Sequence, residues 1–382
     1  MTEGSMPKAA LVLALLSASL CAAALGQSGS KPAPVSRHPA TPLYRVSFER
    51  REPVEGVNAT GALQLPFQCT SDGTFFVNFI GTVPAGAGIK PPLFPPMLLT
   101  SVSPFGHGHT FRLDQVPELF ISRQEDYFAS DSEVIFLVRG ARENKPVKRT
   151  FQWKDGSQGE YEENAAPQHL YILSFTRDGE YRRTIEVEDS FYILQVGVFP
   201  SGMFLALGFD KKDNSTRLVM LTADGNLLKP LTVPADDFPQ AMIAGADAPH
   251  PHAIVPTELV SAGHSILIVV QENTAFPLLE VTEGGAIRAI HPKLPKDTKI
   301  RLVVPSDQNL YVVTSTENDK RDFDSAIYEL NPEDGAVLGR FELSDDRQGS
   351  QVACVHDGKF FSFVFGDGKI TPLVGSAEPV GH

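Results

Sequence analysis

An all-β chain of repeated four-stranded sheets is what the sequence predicts, and three observations predict it. One hairpin phrase is written six times, as in "FQCTSDGTFFVNF" (67–79) and, far along the chain, "VACVHDGKFFSFVF" (352–365). A second, more alternating hairpin follows most copies. No stretch of about twelve residues carries a helical apolar stripe. Two hairpins per repeat give a four-stranded unit, and units of this period stack face to face around a central channel as a β-propeller. The expected fold is a six-bladed propeller.

Each element can be justified in chain order. Lys8 precedes the uncharged apolar run "AALVLALLSASLCAAALG", which ends in Ala24-Leu25-Gly26. Small residues at the −3 and −1 positions place a signal-peptide cleavage after Gly26, and Met6 is an alternative start. A retained anchor is the rival reading, since the run is about long enough to span a bilayer. A lipid-modified Cys21 is disfavoured by bulky Leu20 directly before it. Residues 27–41, "QSGSKPAPVSRHPAT", read as a flexible Ser/Pro/Ala-rich tether. Residues 42–382 form the propeller domain.

"LYRVSFER" (43–50) is a strand without a repeat of its own. The first-hairpin phrases follow at 67–81, 127–140, 196–209, 258–271, 302–315 and 352–365, with turn markers at 73, 132, 202, 263, 308 and 358. Their Asp, Ser, Gly and Asn turn residues tolerate positive φ or bond their own backbone. The second strand of each phrase is apolar throughout, as expected of a strand covered on both faces by neighbouring sheets. The later hairpins at 171–187, 219–233, 278–290 and 327–343 turn at Gly179, Gly225, Gly285 and Gly335 and roughly alternate, which suits strands nearer solvent. The last repeat has strands near 351–355, 359–365 and 369–374 and lacks a fourth. Residues 43–50 are expected to supply it and so close the ring. A seventh blade would need a further hairpin hidden after Gly140.

The "x-V-x-x-D-G-x-hydrophobic" hairpin and the later Asp-Gly hairpin resemble those of the six-bladed propellers related to the NHL group, over roughly residues 42–382. The resemblance is one of fold and implies six blades closed between the two termini.

First-to-second and third-to-fourth strand turns must share one face of such a ring. Second-to-third loops and blade-to-blade links lie on the other, and there the chain places its irregular segments: 81–96, 140–168 with the only Trp, Trp153, 210–217, 234–256 and 316–325. Long loops raised on a rigid scaffold usually carry binding. The candidate binding residues are therefore Trp153, Asp210, Asp213, His250, His252, Asp322 and Asp324, with Asp319 and the Asp236-Asp237 pair in the same class of loop. His107 with His109, and His250 with His252, have alternate-residue spacing that lets two imidazoles meet one ion. However, His107 belongs to a tight turn and His250 to a blade link, on opposite faces. The bland reading, solvated loop histidines and carboxylates, weighs more. Calcium or zinc are the only cofactors these residues suggest, and no EF-hand spacing with a closing Glu is present. Nucleophile-elbow, dinucleotide and phosphate-loop patterns are absent. Asn58 and Asn214 begin glycosylation sequons, meaningful only in a eukaryotic host.

Cys69 and Cys354 occupy equivalent positions in the first and last repeats. A disulfide there would lock the ring, but matching positions on neighbouring inner strands are expected to diverge. Two buried free thiols are the alternative.

The net charge of −13, without a basic run, argues against nucleic acid. No segment after the leader is apolar enough to span a membrane. The function read from the sequence is an exported, secreted or periplasmic binding or scaffolding module for a protein, small-molecule or glycan ligand on the long-loop face. The alternative is a metal-dependent hydrolase or lyase with its site at the channel mouth. A weaker third reading is an envelope-associated partner of a larger complex.

Overall fold

The computed structural model describes residues 41–54, 57, 62–80, 97–152, 156, 158–188, 190–210, 212, 215–233, 257–270, 276–296, 298–306, 308–317, 323–343 and 352–381. The strands, in chain order, begin with β1 (Leu43–Arg50). The first sheet is β2 (Ala62–Cys69), β3 (Phe75–Ile80), β4 (Met97–Val102) and β5 (Gly108–Thr110). The second sheet holds β6 (Phe120–Ala129) and β7 (Val134–Ala141). A separate two-stranded hairpin, β8 (Pro146–Gln152) and β9 (Gln158–Asn164), follows, and then β10 (His169–Phe175) and β11 (Tyr181–Val187) complete that sheet. The third is β12 (Tyr192–Val198), β13 (Phe204–Phe209), β14 (Thr216–Leu221) and β15 (Leu227–Leu231). The fourth is β16 (Thr257–Ala262), β17 (Ser265–Val270), β18 (Leu278–Thr282) and β19 (Ile287–Ile290). The fifth set is β20 (Lys299–Pro305), β21 (Leu310–Glu317), β22 (Phe323–Leu330) and β23 (Val337–Leu343). The sixth is β24 (Cys354–His356), β25 (Lys359–Gly366) and β26 (Lys369–Pro379), with β1 as its outer strand.

All six expected first-hairpin turns fall between the first and second strands of these sets. The four later glycines fall between third and fourth strands. The turns need them. Gly73 has φ +83°, and a Cβ there would lie 2.9 Å from Pro104 and 3.1 Å from His356. Gly225 has φ +80°, and a Cβ would stand 2.7 Å from the Glu186 carbonyl of the neighbouring sheet. Only glycine fits a positive φ with backbone this close.

The cores lie between sheets. One cluster joins the first and second sheets through Phe76, Phe111 and Phe136. Another joins the second, third and fourth through Phe128, Phe204 and Ile268. A third joins the fourth and fifth through Leu267, Val269 and Val312, and the last joins fifth, sixth and first through Val304, Phe360 and Phe75. The succession returns to its start, which makes the chain a β-propeller. Neighbouring residues on one strand serve opposite clusters: Phe75, Val77 and Phe79 face the sixth-sheet side, and Phe76 the second. Strands alternate their side chains, so a strand apolar at every position is one whose two faces are both covered.

Closure follows the expectation and goes beyond it. β1 pairs antiparallel with β26 from Tyr44↔Pro379 to Arg50↔Leu373. Its other edge pairs in parallel with β23, from Leu43↔Arg340 to Val46↔Leu343, so the last two sets form one eight-stranded sheet. Tyr44 stacks on Phe341 at 4.8 Å where the two meet. β26 runs to Pro379, five residues past its expected end, because β1 gives it a partner along that length.

Two open readings are resolved. A hairpin does follow Gly140, but among the described residues β8 and β9 pair only with each other, as an excursion between the second and third strands of the second sheet and not as a seventh blade. The second-to-third connection of the last set is a tight turn at Asp367 (φ 53°) and Gly368 (φ 71°), in line with the short gap between the strands expected at 359–365 and 369–374. Cys69 and Cys354 form a disulfide, with Cα atoms 5.3 Å apart. Their positions near the tight-turn ends of β2 and β24 converge where divergence was expected, and the separation lies in the range a bridge requires.

Candidate functional site

The two faces of the ring differ in how their polar groups are used. On the tight-turn face, turns of neighbouring sheets bond one another. The Ser71 N–H donates to Asp131 at 2.7 Å, and Arg177 donates to both oxygens of Asp72 at 2.8 and 2.6 Å. Lys229 reaches the Gly284 carbonyl at 2.7 Å, Arg288 reaches Glu333 at 3.2 Å, and Lys293 reaches Asp334 at 2.9 Å. Burial pushes the Asp72 carboxyl up. Bonds from Arg177, the Thr74 N–H and the Thr70 hydroxyl outweigh it and hold the carboxyl at about 2. His107 sits in this face, as expected, and His109 lies on β5 with its ring edge-on to Phe111 at 5.3 Å.

The innermost strands β2, β6, β12, β16, β20 and β24 meet around the axis. Gln68, next to last in β2, crosses it. Its Nε2 donates to the carbonyls of Tyr127 (3.2 Å) and Leu259 (3.5 Å), and its Oε1 accepts from the Ala129 N–H at 2.6 Å. One buried amide thus ties the first, second and fourth sheets and floors the channel toward the tight-turn face.

From this floor toward the long-loop face the inner strands turn polar. Gln195 and Thr257 bond reciprocally: Nε2 to the Thr257 carbonyl at 2.8 Å, and Thr257 Oγ1 to Oε1 at 3.0 Å. Glu125 takes Arg123 at 3.0 Å and Arg139 at 2.8 Å, one carboxylate between two guanidiniums. Arg139 also lies over the Tyr192 ring at 5.4 Å, and that ring stacks on Phe209 at 4.8 Å. Arg301 donates to Ser315 at 2.7 Å. Glu258 is buried. Asp126 keeps part of its surface open, yet burial pushes its carboxyl up to about 8; N–H groups of Tyr127 and Val196 oppose the rise and the Glu125 charge adds to it. Burial also drives the Tyr127 hydroxyl well up, with Glu258 and Asp126 contributing. A carboxyl that stays protonated near neutrality can donate as well as accept.

Of the residues expected to bind, Asp210 alone is described in full. It closes its own loop, accepting from the Lys212 N–H at 2.8 Å and from Arg217 at 2.7 Å. That is a structural tie within the loop. Asp324 lies on β22 opposite Thr316. Trp153, Asp213, His250, His252 and Asp322 lie outside the described residues, as do Asp236, Asp237, Asp319, Asn58 and Asn214. Among the described residues no group of three or more His, Cys, Asp or Glu is placed to hold a metal ion.

The sequence reading missed Gln68, Asp126, Gln195, Glu258 and Arg301. Their signal was polar residues within the first strand of a set, as in "ALQLPFQC", "FISRQEDYFA", "YILQVGV", "TELVSA" and "KIRLVVP".

Sheet order and the ring of cores define a β-propeller whose inner strands carry polar side chains around Gln68. No protein-family model matches the chain, and no curated protein matches it. Solved structures are similar at low identity. A candidate exported protein from Bacteroides fragilis is 8% identical with a TM-score of 0.44, covering 88% of this chain and 96% of its own. The WD40 domain of Neurospora crassa Pan2 is 9% identical with a TM-score of 0.38, covering 83% and 89%. A neuraminidase-like protein from A/bat/Guatemala is 11% identical with a TM-score of 0.38, covering 89% and 97%. The fold assignment itself rests on the sheet order and the ring of cores. No helix among the described residues is long and apolar enough to cross a membrane.

Proposed function

We propose that the protein is an exported binding module whose ligand seats on the long-loop face, over the mouth of the floored channel. The observation that carries this reading is the set of polar side chains that the inner strands carry on the long-loop side of Gln68: Asp126, Gln195, Thr257 and Arg301. A concave site with a few converging polar groups is where a ligand gains orientation. Export rests on the leader with its cut after Gly26 and on the tether of residues 27–41; N-terminal sequencing of the secreted chain should begin at Gln27. The likeness to the NHL group stays part of this proposal. The ligand classes are a glycan, small molecule or protein.

Labelled protein on an array of glycans and peptides tests the site. Hits should weaken about tenfold or more with Arg301→Ala and be unchanged with Lys293→Ala on the tight-turn face. Hits lost only with the tight-turn variant, or hydrogen-exchange protection confined to that face, would overturn the reading.

The second reading, a hydrolase or lyase with calcium or zinc at the mouth, is favoured by Asp126 alone. A carboxyl held protonated near neutrality is suited to general-acid work. Stoichiometric metal in the purified protein, with a melting temperature that falls in chelator, supports it.

A further inference from the structure

The β8–β9 hairpin leaves the long-loop end of the second sheet and, among the described residues, pairs with no other sheet. Residues 142–150 are exposed throughout, and Glu160 and Glu162 are exposed on the returning strand. A lone two-stranded hairpin is marginally stable in water. This one is secured at its base, where the Ala165 N–H donates to the Lys145 carbonyl at 2.9 Å. Asn164 there accepts from the Lys145 N–H at 2.8 Å and donates to the Glu143 carbonyl at 2.7 Å.

Its two edges are not alike. β8 begins with Pro146 and carries Lys148 and Arg149, the residue types that blunt an edge against strand addition. β9 reads "QGEYEEN", without proline, lysine or arginine. Glu160 and Glu162 are two residues apart and share one face, opposite Thr150 and Lys148. Glu163 lies on the other face and meets Arg149 at 3.4 Å.

We propose that the β9 edge docks an extended basic segment of a partner protein, which adds as a third strand and sets alternate lysines or arginines beside Glu160 and Glu162. Strand addition of this kind takes its affinity from main-chain hydrogen bonds and its choice of partner from alternating side chains. A second copy of this chain is disfavoured, because β9 against β9 opposes carboxylates, β8 against β8 opposes cations, and β9 against β8 meets an edge that Pro146 deprives of a donor. The proposal rests on the long-loop face being the binding face, but uses a part of it separate from the channel mouth.

The probe is a short labelled peptide alternating lysine with threonine, and its control alternates glutamate with threonine. The hairpin can be excised by replacing residues 146–164 with Asn-Gly, since Lys145 and Ala165 already hold turn geometry. The excised charges nearly cancel, Lys148, Arg149 and Lys154 against Asp155, Glu160, Glu162 and Glu163. The basic peptide should bind the parent chain, more tightly as salt falls, and protect β9 amides from exchange. Binding should weaken about tenfold with Glu160→Lys/Glu162→Lys and be absent from the excised chain, whose melting temperature stays near the parent's. Equal binding to the excised chain, binding of the acidic peptide, or no binding at all overturns the proposal. So does a parent chain that dimerises where the excised chain does not, which gives the edge to a second copy. The channel-mouth reading survives each of these outcomes, because the excision leaves Asp126, Gln195, Thr257 and Arg301 in place.

Discussion

Asp126 and Gln68 show how the ring treats polar residues near its axis. Gln68 is buried and its amide is used at both ends, so it acts as a fixed cross-brace. Asp126 accepts two backbone N–H groups, but burial still outweighs them. Its ordinary value is 3.8 and its folded value about 8, so between these the folded chain keeps a proton that the unfolded chain has released. Stability must then fall as pH rises through that window and level off above it, with a slope no steeper than about 1.4 kcal/mol per pH unit. The expected outcome is a melting temperature that drops between about pH 5 and 8 and a flatter profile for Asp126→Asn. Thermal melts in matched buffers check it, and a profile equally steep in the variant shows that another group is responsible. Asp72 acts in the opposite sense. Its carboxyl, lowered to about 2, stabilises the tight-turn face above pH 4 or so, and that contribution is lost as pH falls toward 2. Half-exposed as it is, the Asp72–Arg177 pair contributes little, within about 1 kcal/mol.

At the scale of elements, β1 is the piece on which closure turns. Val46 is fully buried in the cluster shared by the fifth, sixth and first sheets, and both edges of the strand are paired. A chain cut to begin at Arg51 should lose its cooperative melt, and a synthetic peptide of residues 42–50 added in trans should restore it, read by circular dichroism against temperature. A truncated chain that melts as the parent does would falsify the assignment of β1 as the completing strand. The strand's role was legible in the sequence because "LYRVSFER" had no repeat of its own and the last repeat lacked a strand. Its parallel pairing with β23 was not, since nothing in either segment marks a lateral neighbour; that contact arises where the outer strands of consecutive sheets meet. The hairpins were legible for a local reason, since Gly73, Gly225 and their counterparts are set by turn geometry. The channel was not. Gln68, Asp126 and Gln195 lie far apart in the chain, and only the ring brings their strands to one axis. β8–β9 was legible only as the hidden hairpin of a seventh blade, because 140–168 reads as an irregular, charge-rich segment.

The whole molecule closes twice. With β1 in the sixth set, the chain passes from the sixth sheet to the first by an ordinary link, and the seam lies inside the sixth set, between β1 and β26. No covalent bond crosses that seam; hydrogen bonds and the packing of Val46 and Phe48 with Val374 hold it. Aromatic rings join the first sheet to β25: Phe67 and Phe75 pack on Phe363 at 5.2 and 5.7 Å, and Phe79 on Phe365 at 5.0 Å. The Cys69–Cys354 disulfide fixes the inner strand of the sixth set to the first sheet, across a separation of 285 residues. If β1 and β26 part, β1 keeps its bonds to β23, and β24 to β26 stay tethered through Cys354, so the ring can reseal. Loop-closure entropy for a span of that size gives an upper figure of about 5–6 kcal/mol, and removal of native bridges more often costs about 2–5. Cys69→Ala/Cys354→Ala is therefore expected to lower unfolding free energy by about 2–5 kcal/mol in denaturant melts. Ser47→Pro, which removes a donor from β1, weakens the seam alone. Combined with the cysteine pair it should cost more than the two losses added, because each closure holds the ring while the other opens. A strictly additive cycle would mean that bridge and seam stabilise the fold independently and that the double closure has no mechanical meaning.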